Sequence, residues 1–239
     1  MGLDFNLAFS PERIDPGNAT FGLRNTPKVV GGYTPACTQR AAAFYGKFVE
    51  TVVTARGTRE AETAKLLENT YRHVNIALVN EMARFCHELD IDLWDVIGLA
   101  ATKPFGFQAF YPGPGVGGHC IPIDPSYLSH SVQVKLGYPF RFVQLAQEIN
   151  ASMPTYVASE TIGRARCHLQ FHDPHITTWH ADGHSVGRVP DQDDALRTAD
   201  LTILLQGHSA YGFASIAATA KRVLDTRGVV PTSPTVERL

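Results

Sequence analysis

Residues 58–89, TREAETAKLLENTYRHVNIALVNEMARFCHEL, contain neither proline nor glycine and are rich in residues that favour helix. Leu66, Tyr71, Val74, Ala77, Leu78, Met82, Phe85 and Leu89 recur at helical spacing along them. This predicts one helix of about 30 residues, against an ordinary mean of about 11–12. A helix that long bridges domains or mediates association, so the rest of the chain must be arranged around it.

The flanking segments alternate in character. FNLAF (5–9), KVVGG (28–32) and TVVT (51–54) read as short strands. TPACTQRAAAFYGKFVE reads as a helix with Thr34 as cap and Pro35 at its first position. DLWDVIGLAA predicts a helix capped by Asp92, and DPSYLSHSVQVKLG one capped by Asp124 with Pro125 at the first position. Residues 140–166 read as a helix bent near Pro154. Beyond 167, HLQFHDPH and LTILLQGHS read as strands, DQDDALRTA as a helix and RVLDTRG as a closing strand and turn, which suggests a small parallel α/β unit. With 44% hydrophobic and 18% charged residues in 239, the composition is that of a globular α/β protein.

Several classes of partner are disfavoured. A net charge of −2 leaves no electrostatic footprint for nucleic acid or an anionic membrane. No apolar run approaches the roughly 20 residues that span a bilayer. The first residues lack the basic and apolar regions of a signal peptide, and Asn6 stands where a myristoylation motif needs Ser or Thr. Cys37, Cys86, Cys120 and Cys167 are far apart with no CxxC pair, which suits a reducing cytoplasm. His168, His172, His175, His180 and His184, with Cys167, match no usual zinc spacing, so no metal is expected.

The segment PFGFQAFYPGPGVGGHCIPIDPSYL (104–128) stands apart. Gly113, Gly115, Gly117 and Gly118 permit positive φ and let backbone approach a ligand, while Pro112, Pro114 and Pro122 stiffen the same stretch. Cys120 falls beside a helix N-terminus, where the positive end of the dipole suits a nucleophile, and Asp124 could orient or deprotonate a water. The same residues are also compatible with a structural hairpin holding an incidental cysteine. Lys65 and Asn69, four apart, share a helix face and could hold an oxyanion together, or form an ordinary solvated face. Glu12, exposed after Pro11 in SPER, is by itself a turn carboxylate. No GxGxxG and no GxxxxGK[ST] occurs, and GPGVGG follows a turn instead of a strand.

Taken in order, FSPERIDPGN, TPKVVGG, AETAKLLENTYRHVNIALVNE, PGPGVGGHCIPIDPSYL, FHDPH and VLDTRG resemble the UDP-glucose/GDP-mannose dehydrogenase family. The wording of the glycine loop is most like its bacterial branch acting on UDP-N-acetyl-D-glucosamine and UDP-N-acetyl-D-mannosamine. The resemblance implies oxidation of the C6 alcohol of a UDP-sugar to a carboxylate in two NAD-dependent steps. It implies that Cys120 captures the aldehyde, that Lys65 and Asn69 stabilise the oxyanion, and that Asp124 activates water or orients the lysine. Glu12 would be the acid/base residue. Tyr111, Gly115, Gly117, Gly118 and Arg227 would bind the substrate. A homodimer through the 58–89 helix is implied as well.

The fold expected on this basis is α/β. It comprises a Rossmann-like remnant at 1–57, a central all-helical dimerisation region with one long helix at 58–152, and an incomplete α/β domain at 153–239. The family's GxGxxG would lie before residue 1, so NAD lacks its usual handle within the chain, and the fifteen residues between Tyr156 and His172 are too few for the βαβ unit expected there. The chain therefore reads as a truncated dehydrogenase, or as an inactive remnant that binds UDP-sugar or dimerises.

Overall fold

The computed structural model describes residues 4–15, 18–118, 120–162, 168–181 and 184–239. They form an α/β structure in two compact units, one of residues 1–72 with 119–140 and the other of residues 73–118 with 141–239.

In the first unit, β2 (Lys28–Gly32) pairs antiparallel with β1 (Ala8–Phe9) and parallel with β3 (Val52–Thr54). Only the end of FNLAF is strand. Between β2 and β3 runs α1 (Pro35–Tyr45), with Thr34 accepting the Cys37 amide as its cap and Pro35 in the first turn, as its sequence predicts. Gly31 is where β2 touches the loop at Gly57, for a Cβ there would overlap the Gly57 carbonyl. Val30, Cys37, Val49 and Ala61 form the buried apolar interior.

The predicted long helix is present as α2 (Thr58–Glu88), 31 residues, the first part in one unit and the rest in the other. One boundary needs correcting. The helix after the glycine loop, α4, runs from Cys120 to Leu136, so Asp124 is not a cap but lies in its second turn. Pro122 falls within the first turn, where amides have no helical partner. Pro125 forfeits one helical hydrogen bond but is fully buried, so its ring contributes packing in exchange.

In the second unit, Asp92 caps α3 (Leu93–Ala101) by accepting the Trp94 and Asp95 amides. Val79, Ala83, Cys86, Leu93 and Ile97 make one core cluster there. Helix α5 (Arg141–Ile162) follows, with Pro154 inside it. The predicted continuation to 166, the residue Cys167 and part of the shortened stretch between Tyr156 and His172 lie outside the described residues. HLQFHDPH is not a strand. Only Phe171 bridges Arg188, because Asp173 turns the chain by accepting the His175 and Ile176 amides. The hairpin of β4 (Thr178–Ala181) and β5 (His184–Gly187) comes instead. The predicted parallel unit then appears. Helices α6 (Gln192–Thr198) and α7 (Phe213–Thr219) alternate with β6 (Thr202–Leu204), β7 (Val223–Asp225) and β8 (Val236–Arg238) in a parallel sheet of order β6-β7-β8. Leu196, Leu204, Ile216, Val223 and Val230 fill the space beneath it. Among the described residues no helix is long and apolar enough to cross a membrane.

Candidate active site

Two groups of the predicted residues are assembled, one in each unit. In the first unit, α2 presents Lys65 and Asn69 one turn apart, and α4 presents Asp124 to both. Asn69 Nδ2 donates to Asp124 Oδ2 at 2.7 Å, and Lys65 Nζ lies 4.0 Å from the same oxygen. Lys65 and Asp124 are each about three-quarters buried, so the charges face each other in partial shelter from solvent. Cys120 is the first residue of α4, four before Asp124 and hence on the same side of the helix, and its side chain is exposed. The other described cysteines, Cys37 and Cys86, are buried. Chemically, this is an accessible sulfur on a helix whose next turn fixes an ammonium and a carboxamide.

Glu12 is held differently. Its Oε1 accepts the amides of Arg13 (2.9 Å) and Ile14 (2.8 Å), and its Oε2 faces Lys28 Nζ at 3.3 Å. The Ile14 amide first, then Lys28, lower its pKa, partly opposed by desolvation. A carboxylate so engaged is an anion near neutral pH, and its described partners are Arg13, Ile14 and Lys28, not the Lys65–Asn69–Asp124 group. Arg13 clamps this segment to α2, with Nη2 2.7 Å from Glu68 Oε1 and Nε 3.2 Å from Oε2. Sequence reasoning passed over Arg13 and Lys28, although the charges flanking Pro11 and opening KVVGG were a signal.

In the second unit, the glycine loop and the DTRG turn meet. Arg227 Nη1 lies 3.4 Å from where a Cβ on Gly113 would stand. The turn is set by Asp225, fully buried, whose two oxygens accept the Arg227 amide (2.9 Å) and the Val230 amide (2.7 Å). That leaves the Arg227 side chain exposed beside the loop. Gly115 at φ +127° and Gly118 at +89° need the glycine-favoured region, and Gly117 and Gly118 have open space around them. Tyr111 stacks on Trp94 (centroids 5.3 Å apart, 17° between planes) with its own ring half exposed. Trp94 in turn donates through Nε1 to the Leu239 carbonyl at 2.9 Å.

The histidine-rich region forms a hydrogen-bonded knot. His208 Nε2 is 3.0 Å from Asp173 Oδ2, and Tyr211 donates to the His172 carbonyl at 2.9 Å. The His175 amide, then His208, lower the Asp173 pKa, and desolvation raises that of Tyr211. Among the described residues no three such side chains converge as a metal ion would require. The chain before the glycine loop, from Phe107 to Pro112, is irregular where a phosphate cradle needs a strand.

Residues 59–152 match the central domain of the UDP-glucose/GDP-mannose dehydrogenase family. The chain is 39% identical over 157 residues to the UDP-N-acetyl-D-mannosamine dehydrogenase of Salmonella typhi, covering 66% of this chain and 36% of that protein. It is 37% identical over 175 residues to the enzyme of the same name from Methanococcus vannielii, covering 73% and 39%. The chain thus spans little more than a third of the length of these curated relatives. The solved UDP-N-acetyl-mannosamine dehydrogenase of S. aureus superposes with a TM-score of 0.77 at 29% identity, covering 99% of this chain and 64% of that one. With the long helix, the glycine–cysteine loop and the DTRG turn in the order the sequence suggested, residues 59–152 carry the central domain of the UDP-glucose/GDP-mannose dehydrogenase family, and the chain is similar to the UDP-N-acetyl-D-mannosamine dehydrogenases.

Proposed function

We propose that this chain carries the sulfur chemistry and substrate recognition of a UDP-sugar 6-dehydrogenase, with a UDP-N-acetylhexosamine as substrate. The observation that carries the reading is the convergence of Lys65 and Asn69 on Asp124, one helical turn from an exposed Cys120. The Cys120 sulfur adds to the C6 aldehyde, forming an S–C bond and a thiohemiacetal oxyanion. Lys65 and Asn69 donate toward that oxygen. After oxidation to the thioester, a water steered by Asp124 attacks the carbonyl, the C–S bond breaks, and the thiol leaves with a proton. Covalent capture keeps a reactive aldehyde from escaping between the two oxidations. Both oxidations need a hydride acceptor, NAD in the family reading, and no step through it follows from these residues. Glu12, held as an anion, serves as an acceptor of protons or hydrogen bonds in this scheme. Tyr111, Gly115, Gly117, Gly118 and Arg227 take the nucleotide and diphosphate, the cation and open backbone suiting phosphate.

The names of the curated relatives favour UDP-N-acetyl-D-mannosamine as the sugar, and the separated cysteines favour a cytoplasmic setting. Exposed Leu78 and Phe85, two turns apart on α2, favour a homodimer through that helix. The same exposure supports the second reading, an inactive binding or dimerisation module. The test is protection of Cys120 from iodoacetamide. UDP-N-acetyl-D-mannosamine is expected to slow its alkylation, and equal rates with and without UDP-sugars would refute substrate recognition. Failure of Cys120 to form a covalent adduct with the corresponding 6-aldehyde, despite such protection, would leave the module reading standing.

A further inference from the structure

The glycine loop is tied down by a buried chain of carboxamides. The Gly113 amide donates to Asn80 Oδ1 at 2.9 Å, Asn80 Nδ2 donates to Asn150 Oδ1 at 2.9 Å, and Asn150 Nδ2 donates to the His73 carbonyl at 3.2 Å. Asn80 is 0% exposed, His73 1% and Asn150 5%. Every link points the same way, so each carboxamide uses its oxygen toward the loop and its nitrogen away from it. Asn150 Nδ2 also faces His73 Nδ1 at 3.4 Å, and burial holds that imidazole below its usual pKa, which keeps the ring neutral beside the amide. Asn150 supports the loop a second time. Its backbone oxygen and the Pro154 ring lie 3.4 and 3.5 Å from where a Cβ on Gly115 would stand, directly beneath the residue at φ +127°. Neither asparagine reaches the exposed face of the loop.

We propose that Asn80 and Asn150 form a latch that fixes Gly113 and Gly115 in the conformation that receives the diphosphate of a UDP-sugar, as positioning residues acting through the loop. The assignment of the ligand rests on the functional reading above, whereas the latch itself does not. Without it, the Gly113 amide loses its buried acceptor and the loop must supply its order from proline stiffness alone. Loop order missing before binding must be gained at binding, which weakens affinity without touching a ligand contact.

Hydrogen exchange on the full chain, with UDP as the probe, tests this. Pro112 and Pro114 have no amide hydrogen, so Gly113 is isolated between Tyr111 and Gly115. Its amide is expected to be protected in the wild-type chain. Asn80→Ala, and the shape-preserving Asn150→Asp, are expected to speed its exchange ~10-fold or more relative to amides of the β6–β8 sheet, and to weaken UDP binding by a similar factor. An unprotected Gly113 in the wild type would overturn the latch with no variant needed. So would native exchange at Gly113 in a folded Asn150→Asp chain, or unchanged UDP affinity once that amide is freed. Strong protection at Gly113 that both variants abolish, in a chain that binds no UDP, would uphold the latch and remove the nucleotide reading.

Discussion

Replacing Gly228 with alanine is expected to be among the most damaging single-methyl changes this chain can receive. Gly228 sits at φ +64°, a region that costs an L side chain about 1–2 kcal/mol. The added Cβ would also overlap the six-membered ring of Trp94, with Cδ2 only 2.8 Å away. That ring cannot slide freely, because Tyr111 stacks on it and Nε1 is bonded to the Leu239 carbonyl. Displacing it adds an overpacking cost of about 1–3 kcal/mol, for a total of about 2–5 kcal/mol, whose upper end reaches the exceptional range for point variants. Urea unfolding followed by circular dichroism measures it. Gly98 supplies the contrast, being inside α3 with nothing within 4 Å of its would-be Cβ, so Gly98→Ala is expected to stabilise by about 0.5–1 kcal/mol. In a Trp94→Ala background the Gly228→Ala cost should fall to the φ term alone, a coupling of about 2 kcal/mol. A Gly228→Ala loss under about 1 kcal/mol, or no coupling to Trp94, would refute the packing argument.

Other outcomes follow from the two groups of residues. Asp124→Asn removes the charge that Lys65 faces but keeps the shape, and is expected to slow thioester hydrolysis by ~100-fold while leaving UDP-sugar affinity near wild type, seen by mass spectrometry of an acylated Cys120. Arg227→Gln should weaken UDP binding by ~10- to 100-fold in calorimetry, the scale of one charge-assisted hydrogen bond. The depressed pKa of buried His73 means that the unfolded chain binds its proton first. Stability is therefore full above the ordinary imidazole value of 6.5 and falls as pH drops below it, and His73→Gln should flatten thermal midpoints between pH 7 and 5. Leu78→Glu with Phe85→Glu should convert a dimer to monomer in light scattering without loss of helix content.

Local signals made part of this molecule legible. The long helix was readable because nothing in residues 58–88 can break it, and Thr34 and Asp92 because each cap acts within three residues. The start of α4 was misread because Asp-Pro is a common helix opening, whereas here Pro125 is accepted inside the helix for the burial of its ring, a tertiary effect. HLQFHDPH has strand composition, yet Asp173 diverts the backbone into a turn. At the site, Lys65 and Asn69 could be paired by helical spacing, and the resemblance brought Asp124 to them. The Asn80–Asn150 pair, seventy residues apart, had no local signature at all. Asp225 was read only as part of a motif, although its carboxylate sets the turn that carries Arg227.

The contrast among the cysteines has a practical side. Two of the three described cysteine sulfurs are sealed inside the protein, Cys37 hydrogen-bonded to Thr34 and Leu7 and Cys86 within the apolar cluster around Leu93. Once Cys167 is exchanged for serine, a maleimide dye or nitroxide would attach to position 120 alone. A spectroscopist could then watch the junction of loop and helix in real time, with no cysteine-free background to build.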